Sequence, residues 1–150
     1  MDESPTMGKK LNNLLEKIYS TENGFDKASK RAVSAALKNF FLEKASERCR
    51  FGHQLKTEMM KFNQQILMNV GSAGTLHESW TDVMAFFSSN NDESMFEEAI
   101  MAEKAVLDEY RGVLEEIGLL PSTELLIRRQ MNKISHDLTI IRRLEDIGQK

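Results

Sequence analysis

The stretch MFEEAIMAEKAVLDEYRGVLEEI, residues 95–117, decides the fold of this chain. Its apolar residues recur at intervals of three and four, which is the spacing of one buried stripe on an α-helix. Glu103 lies in the middle of that stripe, and a carboxylate in an apolar interior is costly unless its charge is compensated. The partner could be a metal ion, an arginine or a histidine, or Glu103 could take the neutral acid form. The stripe consists of Phe96, Ala99, Ile100, Val106, Leu107, Tyr110, Leu114 and Ile117.

The composition is that of a single all-α domain. The chain has 150 residues, enough for one hydrophobic core, and it is rich in helix-favouring residues with only two prolines. The formal net charge of -3, with acidic and basic residues interspersed, excludes the broad cationic surface that nucleic acids or anionic membranes select. We therefore expect one domain over residues 7–150, preceded by a disordered N-terminus at residues 1–6.

Cysteine usage and the N-terminal sequence indicate the compartment. Cys49 is the only cysteine, so no internal disulfide can form, and we expect an unreactive buried thiol in a reducing environment. The N-terminal residues are polar, and no apolar run approaches the roughly 20 residues that a membrane-spanning helix needs. These features predict a cytoplasmic protein.

Four long amphipathic helices are predicted, at about residues 7–32, 34–70, 95–117 and 121–147. Gly118 and Pro121 separate the third helix from the fourth. The connection at residues 70–91 is far longer than an ordinary helix hairpin, and TLHESWTDVMAFF at 75–87 predicts a short amphipathic helix within it. A connection of this length can return along the whole bundle and leave the second and third helices parallel. The pattern predicts a ferritin-like antiparallel four-helix bundle with a long helix-containing crossover.

Each predicted helix carries a polar residue at about the same depth. In a bundle of this topology Glu22, Glu47, Glu103 and His136 each lie about 12 residues from one end, which corresponds to about 18 Å. Three carboxylates and a histidine, one from each helix, form the beginning of a carboxylate-bridged metal site, and such ligands suit iron or manganese. We therefore predict these four residues as candidate metal ligands.

Two cations stand where a complete dinuclear metal site would need further ligands. Such a site needs Glu-x-x-His on each of two helices. Here Arg50 follows Glu47 by three residues, and Lys133 precedes His136 by three. Both cations repel a metal ion and would neutralise the carboxylates instead. The residues leave two alternatives: a buried ion network that includes Arg50 and Lys133, or a single iron or manganese ion with redox activity toward oxygen or peroxide.

Five segments carry a family resemblance: LNNLLEKIYSTENGFDKAS (11–29), FLEKASERCRFGHQL (41–55), GTLHESWTDV (74–83), FEEAIMAEKAVLDEYRGVL (96–114) and RRQMNKISHDLTIIRRL (128–144). In this order they resemble a family of uncharacterised bacterial four-helix-bundle proteins of the ferritin-like superfamily. The resemblance implies a ferritin-like bundle, a cytoplasmic bacterial protein and a link to the stress response, with no established reaction. Rubrerythrins and bacterioferritins, more distant in fold, bind two irons through Glu and Glu-x-x-His ligands. Of that pattern this chain retains Glu22, Glu47, Glu103 and His136.

Taken together, these features predict a non-enzymatic or partner-binding bundle protein whose metal site is degraded. No resident cofactor is expected in this interpretation, and iron or manganese belongs to the alternative. A small-molecule binder that uses the core between the helices is a third class. The expected partner is a second copy of the chain or another protein, and neither nucleic acid nor a membrane.

Overall fold

The computed structural model describes residues 5–61, 91–116 and 118–147, and every regular element in these ranges is helical. The predicted all-α class is therefore confirmed. The crossover helix predicted at 75–87, and the part of the second helix predicted beyond Lys61, lie outside the described residues. No helix in the described ranges is both long enough and apolar enough to cross a bilayer. The described ranges contain five helices: α1 Pro5–Arg31, α2 Ala35–Met60, α3 Asp92–Leu114, α4 Pro121–Ile140 and α5 Leu144–Ile147.

Local capping chemistry sets several helix boundaries. The side chains of Ser34 and Asn91 accept hydrogen bonds from backbone N–H groups in the first turns of α2 and α3, both at 3.0 Å. Pro121 occupies the first turn of α4, as predicted. Backbone N–H groups in the first turn have no partner within the helix, so a proline costs no hydrogen bond there. Gly118 adopts a φ of 101°, which a residue without a side chain tolerates best. Because α3 begins at its Asn91 cap, it is shifted toward the N-terminus relative to the predicted range 95–117.

Asp92, at the start of α3, fixes this helix against the turn between α1 and α2. Its carboxylate accepts the backbone N–H groups of Val33 and Ser34, both at 2.9 Å. Charged acceptors make stronger hydrogen bonds than neutral ones. The α1–α2 turn and the N-terminus of α3 therefore lie at the same end of the molecule.

At the opposite end of the molecule, α2 contacts α4, and α1 contacts the C-terminal end of α3. Glu58, near the end of α2, accepts the hydroxyl of Thr123 at the start of α4 at 3.1 Å. Lys10, near the start of α1, lies 2.9 Å from Glu116 just beyond α3. It follows that α1 and α2 are antiparallel, α3 runs parallel to α2, and α4 runs antiparallel to both. The end of α2 and the start of α3 therefore lie at opposite ends of the molecule.

The hydrophobic core consists of two clusters with polar residues between them. On α2 the two clusters are separated between Phe41 and Phe51, and on α3 between Ala99 and Val106. The turn cluster, at the α1–α2 turn, contains Phe25, Ala28, Ala32, Leu37, Phe41, Met95, Phe96, Ala99 and Ile147. The distal cluster contains Met7, Leu11, Leu14, Leu15, Ile18, Phe51, Leu55, Met59, Val106, Leu107, Tyr110, Val113, Ile127 and Ile134.

The prediction that the fourth helix continues to Ile147 is wrong, because α4 ends at Ile140. The next residue adopts an extended conformation, with φ -115° and ψ 94°. The Asp146 carboxylate then accepts the backbone N–H groups of Arg142 and Arg143, at 2.8 and 3.0 Å, and so caps the short helix α5. The change of direction buries Ile147 in the turn cluster, which a straight helix would not do.

The contacts of Asp92 generate a stability prediction. We expect Asp92→Ala to lower the free energy of unfolding by about 1 kcal/mol, because two backbone N–H groups lose a charged acceptor and regain only water. Glu93→Ala is the matched control, since Glu93 is an exposed acid in the same helical turn. Urea denaturation of the three proteins measures the difference. Equal destabilisation by both substitutions would mean that the first-turn charge, and not the link to the α1–α2 turn, is responsible.

Candidate functional site

The guanidinium of Arg48 lies between two carboxylates in the centre of the molecule. Arg48 is fully buried, and its Nη2 lies 2.7 Å from Glu103 Oε1 and 2.9 Å from Glu103 Oε2. The same nitrogen is 3.4 Å from Glu47 Oε1. The guanidinium also stacks over the ring of Phe25, with 5.4 Å between its carbon and the ring centroid. The buried carboxylate that the sequence singled out is therefore paired with an arginine.

Two lysines and an aspartate extend this pair into a larger cluster. Lys44 Nζ lies 2.7 Å from Asp137 Oδ2 and 3.6 Å from Glu103 Oε2. Lys133 Nζ lies 2.6 Å from Asp137 Oδ2 and 3.0 Å from Glu47 Oε2. We call this cluster the ion network. Its three carboxylates and three cations balance in formal charge, and it consists of Lys44, Glu47, Arg48, Glu103, Lys133 and Asp137.

The pKa shifts in the ion network show that pairing outweighs desolvation. Burial alone would lower the pKa of the Arg48 guanidinium, but the charges of Glu103 and Glu47 outweigh it and raise that pKa. Burial likewise favours the neutral form of Asp137, yet hydrogen bonds from Lys133 and Lys44 hold its pKa below the usual range. Burial lowers the pKa of Lys133, but the combined hydrogen bonds and charges of Asp137 and Glu47 outweigh it and raise that pKa. These three groups are therefore held in their charged forms.

The positions of the network residues follow the helical spacing of the buried faces. On α2 the buried residues Leu37 and Phe41 are followed at intervals of three or four by Lys44 and Arg48, and then by Phe51. The same spacing on α4 leads from Ile127 through Gln130 and Ile134 to Asp137. The network residues thus occupy core positions of their helices. Only Lys133, at 54% side-chain exposure, lies at the edge of the bundle.

A second set of polar contacts lies beside the ion network, on the side of the distal cluster. The buried Tyr110 hydroxyl donates to Gln130 Oε1 at 2.7 Å. Gln130 Nε2 in turn donates to the Phe51 carbonyl at 3.2 Å and to Gln54 Oε1 at 2.9 Å. Burial raises the pKa of Tyr110, so its phenol stays neutral and acts as a donor. These bonds join α2, α3 and α4 at a second level.

The structure brings together two of the four residues that were predicted as metal ligands. Glu47 and Glu103 are both buried and share Arg48 as a partner. Glu22 instead faces the half-buried thiol of Cys49, whose pKa it raises by its negative charge. His136 is exposed. It precedes Asp137 in the sequence but does not belong to the network.

The prediction that Arg50 belongs to a buried ion network is wrong. Arg50 is exposed, and its Nη1 donates to Ser46 Oγ at 3.4 Å on the same helix. Arg48 takes the expected role because it lies on the core-facing stripe of α2, whereas two residues further along a helix the side chain points about 200° away. The predicted contribution of Lys133 agrees with its contacts to Glu47 and Asp137.

The residues in the ion network do not fit a metal ion. Within the described ranges, no group of three His, Cys, Asp or Glu side chains comes together so that it could hold a metal. The physical reason lies in the cations: Arg48 and Lys44 occupy the space between Glu103 and its neighbours, and each cation opposes a divalent ion there. Each carboxylate oxygen of Glu47 and Glu103 already lies within ion-pair distance of a lysine or arginine nitrogen.

Comparison with known proteins gives the family. Residues 6–116 match a family described as a domain of unknown function, DUF2383. This chain belongs to the DUF2383 family. The matched range contains α1 to α3, and therefore Glu47, Arg48 and Glu103, whereas Lys133 and Asp137 lie beyond it. Comparisons with curated proteins and with solved structures found no match.

The pairing of Arg48 in this DUF2383 protein generates a prediction about stability. We expect Arg48→Met to lower the free energy of unfolding by about 3–5 kcal/mol, because it leaves two carboxylates buried without their shared cation. Arg50→Met is the matched control and should change stability by less than about 0.5 kcal/mol, since Arg50 is exposed. Urea denaturation at pH 7 measures both. A stability of Arg48→Met equal to that of the wild type would mean that Lys44 alone compensates Glu103.

The lowered pKa of Asp137 generates a prediction about acid stability. A carboxyl whose pKa is lower in the folded than in the unfolded state stabilises the fold above its unfolded value, about 3.9, and this contribution is lost as the pH falls through the folded value. We therefore expect Asp137→Asn to be less stable than the wild type at pH 7 and to lose less stability between pH 5 and pH 2. Asp108→Asn is the control, because Asp108 is exposed and its pair with Arg111 is also exposed. Parallel pH profiles of Asp137→Asn and the wild type would contradict the prediction.

Proposed function

We propose that this DUF2383 protein is a cytoplasmic, non-enzymatic, ferritin-like bundle protein in which a metal-free ion network takes the place of a metal centre. It acts by binding a partner, and the stress response implied by the family resemblance is its setting. The observation that carries the proposal is the position of Arg48 and Lys44. Their charged nitrogens contact Glu103 and Glu47, the two buried carboxylates that a carboxylate-bridged metal site would use.

Charge compensation supports the metal-free part of the proposal. Three carboxylates without metal would repel one another in the interior, and two divalent ions would ordinarily relieve that repulsion. Here Lys44, Arg48 and Lys133 supply the compensating charge as parts of the chain. A metal would have to displace a guanidinium that is fully buried and held at 2.7 Å. Such a network stabilises one arrangement of the helices and leaves no open coordination position for substrate.

The helix directions support the ferritin-like part. α1 and α2 form a hairpin, α3 runs parallel to α2, and α4 returns antiparallel, with the long connection between α2 and α3. This is the order of directions in bundles with one long crossover, the class to which ferritin-like proteins belong. Fold analogy carries no reaction with it, and so the proposed function rests on the contents of the network.

Metal analysis tests the proposal. We expect protein purified from its native host to contain far less than one iron or manganese ion per chain. Adding either ion to the protein should leave the Tm unchanged. If the protein did bind the ion, an ion concentration of about 100 times the Kd would stabilise the fold by about 2.7 kcal/mol and raise the Tm. We also expect Glu103→Gln to lower the Tm in chelator-treated buffer, because Arg48 loses its charged partner. Glu97→Gln, an exposed acid on the same helix, should not.

Two results would overturn the proposal. Stoichiometric metal that is lost in Glu103→Ala would assign the carboxylates to a metal site with redox chemistry as its natural function. A higher Tm for Glu103→Gln than for the wild type in metal-free buffer would mean that Glu103 lacks a cation partner. In that case Arg48 and Lys44 would not compensate its charge.

A further inference from the structure

A groove between α3 and α4 lies outside the ion network. Its volume is about 670 Å³, and it lies open to solvent. The apolar part of its lining comes from the side chains of Ile100, Leu107 and Leu138. On α3 it extends from Ile100 to Arg111, which is about 16 Å or three helical turns.

Three cations line the same groove: Lys104, Arg111 and Arg142. Lys104 and Arg142 form no ion pair with any carboxylate in the part of the chain that the structure describes. Arg142 Nε donates a hydrogen bond to the Thr139 carbonyl at 3.1 Å. Arg111 forms an ion pair with the exposed Asp108 at 3.0 Å. The groove therefore combines an apolar strip with an excess of positive charge.

The positive charge of the groove is local. Its lining contains three cations and one acid, Asp108, in a chain whose formal net charge is -3. The nearby cations Arg128, Lys133 and Arg143 are paired with carboxylates and add little to it. A long polyanion such as nucleic acid would extend over the acidic remainder, which opposes it, whereas a short acidic segment would contact only the basic side.

We propose that the α3–α4 groove binds an acidic amphipathic helix of a partner protein. The groove between two adjacent helices accepts the apolar face of a third helix, with anchor residues at intervals of three and four. Acidic residues beside that apolar face would meet Lys104, Arg111 and Arg142. A small molecule would remain largely exposed in so open a groove, whereas ligand pockets commonly bury most of their ligand. This inference specifies the partner of the proposed function and rests on its partner-binding part.

Peptide binding tests the inference on the full chain. The probe is a labelled, end-capped peptide of about 18 residues that is helical by design, with leucines at intervals of three and four and glutamates beside them. We expect fluorescence anisotropy to give a micromolar Kd that weakens with added NaCl. The matched peptide with lysines in place of the glutamates should not bind.

Charge reversal locates the binding. We expect Lys104→Glu combined with Arg142→Glu to weaken peptide binding at least about tenfold, because two favourable rim charges become repulsive. Arg129→Glu is the matched control, since Arg129 is exposed on α4 and does not line the groove, and it should change the Kd by less than about twofold. All three sites are exposed, and circular dichroism checks that the helical content is kept.

Several outcomes would overturn the inference: no binding of the acidic peptide, equal binding of the lysine peptide, or an equal loss in Arg129→Glu. Binding of anionic lipid vesicles that depends on Lys104 and Arg142, without peptide binding, would assign the groove to a membrane surface and overturn it as well. The metal titration does not involve these residues. A protein that stays metal-free but fails to bind the peptide therefore contradicts the groove assignment alone.

Discussion

A fully buried guanidinium, that of Arg48, holds the Glu103 carboxylate at 2.7 Å between the two hydrophobic clusters of this molecule. Either group alone would be strongly destabilising there, since an unpaired buried charge costs several kcal/mol and the net stability of a domain is small. α2 and α3 must therefore lie in the register that brings residues 48 and 103 together. Asp92 supports the same register from one end, because it ties the start of α3 to the α1–α2 turn.

A buried ion network is a weak source of stability and a stronger source of specificity. Removing two charges from water costs about as much as their attraction returns, so an apolar core of the same volume would be comparably stable. The apolar alternative would allow the helices to slide, since leucines contact one another in many registers. Lys44, Glu47 and Asp137 contact their partners in one register only. The network therefore fixes how α2, α3 and α4 align.

The helical spacing of the sequence predicts more residues of the ion network than the Glu-x-x-His motif does. Glu103 was identifiable because it interrupts a strong apolar stripe, and Glu47 because the stripe of α2 weakens around it. Counting in steps of three and four along α2 and α4 leads to Arg48 and Asp137, whereas the Glu-x-x-His pattern draws attention to Arg50 and His136, which are exposed. The motif describes the ligands of a metal site. The helical period describes which side chains are buried, whatever their chemistry.

The sequence by itself determined the helical class, the approximate extent of α1 and α3, and the need for a partner at Glu103, because each depends on local periodicity or on one residue's burial. Only the tertiary structure decided which cation compensates Glu103. That choice depends on the relative rotation of α2, α3 and α4, and no local pattern encodes it. The end of α4 at Ile140 is of the same kind. Nothing in the sequence there excludes a helix, whereas the structure has an Asp146 cap and a buried Ile147 beyond the turn, and both contacts depend on the fold.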